Sequence, residues 1–115
     1  MNAQATETVT ITSFEISITI ADDEVLLQGI EGTAWTDLSF LLKQGSDQTI
    51  NYDGITTIIE CNNEDNKEIT YCFTIKRTAN GVALTSNYGT AWKELSFSLK
   101  NYSTQKIDHH GMIIE

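Results

Sequence analysis

Apolar and polar residues alternate along this chain in several short runs. Phe14, Ile16, Ile18 and Ile20 are separated by Glu15, Ser17 and Thr19, and Tyr71, Phe73 and Ile75 by Cys72 and Thr74. A period of two places one set of side chains on a buried face and the other toward solvent, so each run predicts a half-buried β-strand. Leu38, Phe40 and Leu42 repeat the pattern, as do Leu95, Phe97 and Leu99. Asn80-Gly81 separates Lys76-Arg77 from Val82-Ala83-Leu84. That pair suits a two-residue type I′ turn, in which both central positions need positive φ, and a hairpin is predicted there. The first run meets Asp23-Glu24 at the matching place. Glutamate takes a left-handed conformation poorly, so a different turn is expected.

Shorter strands are predicted around Gln48 and Ile50 and around Gln105 and Ile107. Turns at Asn51-Tyr52-Asp53-Gly54 and Asp108-His109-His110-Gly111 then lead into apolar strands at 55–59 and 112–114. Trp35 and Leu38 are three positions apart, so a bulge or bend is needed for both to face a core. The window from Trp35 to Lys43 lacks helix caps and is read as strand, so no helix is predicted.

These patterns recur at one spacing. Gly32-Thr33-Ala34-Trp35 returns as Gly89-Thr90-Ala91-Trp92, and Leu38-Ser39-Phe40 as Leu95-Ser96-Phe97, always 57 positions later. Residues 12–58 and 69–115 share 16 identities over 47 positions without a gap. Average usage would give about three by chance. The chain therefore reads as two tandem β repeats, about 12–58 and 69–115, joined by a connector at 59–68. A hairpin unit of that size buries only about 60% of its unfolded surface, so each copy is expected to cover its apolar face with the other. The expected fold is all-β: one domain over 1–115, a pseudo-twofold sandwich or a closed or partly open barrel, with roughly eight to ten mostly antiparallel strands.

Composition narrows the function. Sixteen acidic against seven basic side chains give a net charge of −9, and the densest basic spot is Lys76-Arg77, so neither nucleic acid nor an anionic membrane surface is an expected partner. No apolar run is long enough to span a bilayer, and MNAQATETVT has neither part of a secretory signal, so a cytoplasmic setting is expected. In that setting Cys61 and Cys72 are expected to remain free thiols, although placing a hairpin reversal at Asn66-Lys67 would bring them opposite each other.

Several residues are candidates for chemistry. Trp35 and Trp92 could line a groove for a sugar or an apolar ligand, but an aromatic repeated beside Gly, Ala and Leu is better explained as core. His109 and His110, with Asp108, suggest metal or general-base chemistry. Yet adjacent strand residues point to opposite faces, so a turn is preferred and no metal is expected. Asp22-Asp23-Glu24 and Glu64-Asp65 lack the spacing of a calcium loop. The sequon Asn101-Tyr102-Ser103 is taken as accidental. No catalytic constellation or cofactor motif is present. The leading expectation is therefore a non-enzymatic module that binds a protein partner, or self-associates, through a sheet edge. A small-ligand or carbohydrate binder built on Trp35 and Trp92 is the alternative. A hydrolase or metal enzyme around His109, His110 and Cys72 ranks third.

Overall fold

The computed structural model describes residues 13–62 and 71–113. The chain runs through β1 (Glu15–Ala21), β2 (Glu24–Glu31), β3 (Asp37–Leu41), β4 (Asp47–Asn51), β5 (Gly54–Thr56), α1 (Ile58–Asn62), β6 (Cys72–Arg77), β7 (Gly81–Tyr88), β8 (Glu94–Ser98), β9 (Thr104–Asp108) and β10 (Gly111–Met112). The strands form two five-stranded antiparallel sheets in the orders β10-β9-β1-β2-β3 and β5-β4-β6-β7-β8. Among the described residues neither sheet closes on itself, so the architecture is a sandwich and the barrel alternative falls away. Each strand from β6 to β10 begins 57 positions after a strand from β1 to β5.

Each sheet takes strands from both halves of the chain. After the β1-β2-β3 meander the chain crosses over, and β4 pairs with β6 from Asp47↔Lys76 to Asn51↔Cys72. The second half crosses back, and β9 pairs with β1 from Thr19↔Thr104 to Glu15↔Asp108. Neither half therefore completes a sheet by itself. The expectation that each half shelters the other's apolar face is thus met in a different way, because hydrogen bonds as well as side chains are exchanged.

The alternating residues supply the core. Ile16, Ile18, Ile20, Val25, Leu27 and Ile107 of one sheet meet Ile50, Phe73, Ile75, Val82 and Leu84 of the other, all buried. Full burial of each such side chain contributes about 1.5–3 kcal/mol. Phe14 and Tyr71 stack at 4.2 Å between ring centroids. Phe73 joins them at 6.3 Å from Phe14 and 5.8 Å from Tyr71, and meets Trp92 at 6.1 Å.

Tyr71 is fully buried, yet its hydroxyl has no hydrogen-bond partner among the described residues. Burial, aided by Tyr52 and Asp53, drives its ionisation far above the usual phenol range, so the hydroxyl stays protonated. A buried hydroxyl without a partner keeps its full desolvation cost, about 1–3 kcal/mol. Tyr71→Phe is accordingly expected to raise stability by about 1 kcal/mol or more, read as a higher urea midpoint at constant m-value. A lower midpoint would show that the hydroxyl is satisfied in solution.

Three local expectations need correction. The hairpin at Asn80-Gly81 forms, but not through a type I′ turn. β6 ends at Arg77 and β7 begins at Gly81, leaving a three-residue loop in which Thr78 N donates to Gly81 O at 2.9 Å and Gly81 N to Thr78 Oγ1 at 3.0 Å. Neither Asn80 nor Gly81 has positive φ. Glycine at 81 answers close packing instead, since a Cβ there would lie 2.1 Å from Phe97 O on β8. In the first half the turn is Asp22-Asp23, with Asp22 at φ 59°, and Glu24 already belongs to β2.

The strand predicted over 55–59 stops at Thr56, and the chain turns into α1. Thr57 Oγ1 accepts Glu60 N at 3.1 Å, an N-cap that overrides the β-preference of Ile58 and Ile59. The cysteines, expected to be free, are joined as a Cys61–Cys72 disulfide with Cα atoms 6.5 Å apart. It connects α1 to β6, and the proposed reversal at Asn66-Lys67 lies outside the described residues. The bend anticipated between Trp35 and Leu38 is present at 34–36, ahead of β3.

Candidate functional site

The two Gly-Thr-Ala-Trp segments leave their strands in the same way. Gly32 and Gly89 both have positive φ, at 79° and 89°. Thr33 Oγ1 donates to Trp35 O at 2.6 Å, and Thr90 Oγ1 donates to Trp92 O. Each indole then reaches across the sandwich. Trp35, which follows β2 in one sheet, donates from Nε1 to Asn51 O on β4 of the other at 3.1 Å; Trp92 donates to Asp108 O on β9 at 3.0 Å. Trp92 is buried, and Trp35 is half-buried against the core. The N–H that would orient a sugar or polar ligand is therefore spent on the fold at both places. The two tryptophans serve as inter-sheet clips at separate turns.

Those turns carry the candidate chemistry. Asn51 Oδ1 accepts Asp53 N at 2.9 Å and Gly54 N at 3.1 Å, while Asp108 Oδ1 accepts His110 N at 2.8 Å and Gly111 N at 3.1 Å. Gly54 and Gly111 have φ of 127° and 131°, where a side chain would be strained. The turn backbones are also tied alike, by Ala34 N to Tyr52 O at 3.0 Å and Ala91 N to His109 O at 2.8 Å. His109 and His110 are the turn residues themselves, beyond the end of β9, so strand alternation does not apply to them. Their rings stand 4.2 Å apart, contrary to the expectation that only one imidazole could serve a given place.

Cys72 does not join them as a nucleophile. Its sulfur is bonded to Cys61, so a thiol–imidazole pair has no thiol. Asp22, one of the acidic turn candidates, is engaged across the halves instead. Its carboxylate accepts Tyr102 Oη at 2.6 Å and Asn101 Nδ2 at 3.2 Å. These donors, Tyr102 foremost, hold Asp22 below the ordinary carboxylate range, and the same bond raises Tyr102. Asn101 of the sequon also accepts Asp22 N at 2.6 Å, so its amide is used on both sides. Glu64 and Asp65 lie outside the described residues.

The basic pair divides by face. Lys76 points outward opposite Asp47, whereas Arg77 occupies the position that matches Ile20 and turns inward. Its Nη1 donates to Asp22 O and Leu42 O, each at 3.0 Å, closing one end of the sandwich. A basic pair visible in the sequence thus becomes one surface charge and one structural tie. A cavity of 660 Å³ beside it is lined by Asp22, Asp23, Arg77 and Lys100 among others, with acidic and basic groups balanced.

The sheet edges are the remaining candidates. β3 and β8 are matching five-residue edge strands without proline. On the outer face of β3, Leu41 is 75% exposed, with Leu26 of β2 diagonal to it and 39% exposed. The corresponding places beside β8 hold Ser98 and Ala83.

Fold and site together define an all-β, two-sheet sandwich with a stapled helix and an apolar edge strand, β3, that pairs only with β2 among the described residues. Comparison with protein-family models, curated proteins and solved structures finds no match.

Proposed function

We propose that the chain is a non-enzymatic binding module whose β3 edge receives an extended segment of a protein partner. The single observation that carries this reading is the β3 edge, which pairs only with β2 among the described residues and has Leu41 beside Leu26 of β2 on its outer face, where the matching β8 edge has Ser98 beside Ala83 of β7. Edge strands are ordinarily protected by charge, proline or a bulge, because their unpaired backbone groups template another strand. A leucine pair beside such an edge adds apolar area to main-chain hydrogen bonding, the two components of strand addition. The matching positions hold a serine and an alanine, so this strand pairing does not require leucines.

Charge indicates the partner's chemistry. Glu24 lies opposite Leu41, Asp37 stands at the other end of β3, and the whole chain carries −9. A segment alternating apolar and basic residues complements that surface, whereas a second copy would meet its own charge. We also infer that the two 57-residue units are copies related by an approximate twofold, which presents two similar edges and has specialised one of them.

Selection of displayed extended peptides on the intact chain tests this reading. Binders enriched in alternating basic and apolar residues are expected. They should slow amide exchange in β3 and weaken at least about tenfold with Leu41→Lys, but hold with Ser98→Lys on β8. Binders that leave β3 exchange unchanged and tolerate Leu41→Lys would overturn the proposal, as would a failure to select any.

A further inference from the structure

We propose that the β9–β10 turn is a binding site for a divalent transition metal, held by Asp108, His109 and His110. One donor atom from each of these three side chains lies within 4.8 Å of the other two. Bonds of about 2.0–2.2 Å need donors within about 4 Å of one another, so the set has to contract when an ion enters, and the exposed His110 is the side chain with room to move. Both imidazoles reach the same place because they belong to the turn, where strand alternation has ended.

The first half of the chain provides an internal control. The turn at Asn51-Tyr52-Asp53-Gly54 has the same side-chain oxygen accepting the same two amides and the same glycine conformation, without an imidazole. Neither histidine is therefore needed to make the turn. The amide side chain of Asn51 performs the capping role with one oxygen, so Asp108 does so with Oδ1 and keeps Oδ2 outside that arrangement.

His109 is pre-oriented. Its Nδ1 lies 3.4 Å from Phe14 O and 3.3 Å from Phe14 N, and its ring is tilted against Phe14 at 6.2 Å. In the structure Phe14 N donates to Nδ1; a metal on Nε2 would move the ring proton to Nδ1, which then has the Phe14 carbonyl as its acceptor. An outer partner on the second ring nitrogen is the usual way a ligating imidazole is fixed.

The surroundings favour a cation. Asp108 is the cross-strand neighbour of Glu15 on β1, and Glu15 is in turn the neighbour of Glu31 on β2, so three carboxylates lie in a row across the sheet. The matching row of the other sheet is uncharged: Asn51, Cys72 and Tyr88. There the row is used by α1, through the disulfide and through Tyr88 Oη donating to Cys61 O at 3.3 Å. Two imidazoles and one carboxylate form a borderline donor set suited to Cu²⁺, Ni²⁺ or Zn²⁺, whereas Ca²⁺ and Mg²⁺ prefer oxygen alone.

The test titrates the full chain with Cu²⁺, Ni²⁺ and Zn²⁺ separately by calorimetry, with Ca²⁺ and Mg²⁺ as controls. His109→Tyr with His110→Asp installs the side chains already accepted by the first turn, so this variant is expected to fold; its thermal unfolding is measured in parallel. One transition-metal ion per chain is expected, Cu²⁺ tightest, with affinity falling at least about 100-fold in the double variant. The chain has only two histidines, so imidazole nitrogen couplings in the Cu²⁺ paramagnetic resonance spectrum report on these residues alone. Equal affinity in wild type and double variant, a spectrum without two imidazoles, or a preference for Ca²⁺ would each overturn the site.

Discussion

Phe73→Ala is expected to lower the unfolding free energy by about 3–5 kcal/mol, the range for removing a buried aromatic ring. Phe73 is fully buried on β6, the central strand of its sheet, and its ring contacts Phe14, Tyr71 and Trp92. Those neighbours come from both halves of the chain and from three separate segments flanking β1, β6 and β8, so the cavity cannot be filled by moving one loop. A domain of this size is ordinarily stable by about 5–15 kcal/mol, so the variant should remain folded only at the cost of much of its margin. Urea unfolding followed by tryptophan fluorescence gives the measurement. A loss below about 1 kcal/mol with unchanged m-value would mean that the aromatic cluster does not form the centre of the core.

Removing the disulfide by Cys61→Ala with Cys72→Ala is expected to cost about 3 kcal/mol. The bond closes a loop with a sequence separation of 11, and the chain-entropy estimate for so short a loop gives that magnitude. Its local effect should be larger than its global one. A five-residue helix cannot sustain itself in water, because nucleation costs more than so few hydrogen bonds return. Beyond the Thr57 cap, α1 is held by the sulfur bridge and by the Tyr88 hydroxyl on the Cys61 carbonyl. Amides at 58–62 should therefore lose exchange protection in the variant while those of β1 retain theirs. Wild type under reductant should shift its urea midpoint toward that of the variant, which itself should ignore reductant. A wild-type midpoint that is the same with and without full reduction would refute the stabilising role.

Much of the architecture was legible because strand periodicity is a local property. The alternation at Phe14–Ile20 and Tyr71–Ile75 marks inward and outward faces irrespective of what lies opposite. The turns at 51–54 and 108–111 were likewise readable, since an Asx side chain and a glycine three positions later satisfy the turn within four residues. Where local rules failed, a longer-range constraint won. Asn80-Gly81 has the chemistry of a two-residue turn, but Gly81 is drawn into β7 because β8 passes too close for a Cβ. Ile58 and Ile59 have strand chemistry, but Thr57 caps a helix that the sulfur bridge ties to β6.

The candidate sites divide along the same line. Trp35 and Trp92 were conspicuous as a repeated pair, and their repetition follows from a shared structural duty across the sheets. The histidine pair is visible in the sequence, but strand alternation ends with β9 at Asp108 and does not say that the two rings share a turn. Leu26 and Leu41 belong to no motif in the sequence. The available signal was their replacement by Ala83 and Ser98 at the 57-residue spacing, a difference between halves at exposed positions on otherwise matching strands.

By itself the sequence determined the strands, their apolar faces and their 57-residue spacing, since these depend on neighbours within a few positions along the chain. Only the tertiary structure decided that β4 and β9 cross into the opposite sheets, that Cys61 meets Cys72, and that two imidazoles share a turn with a carboxylate beside a row of acids. Those outcomes are pairings between distant segments, and the periodicity of a strand sets which face it buries but not which strand it finds as a neighbour.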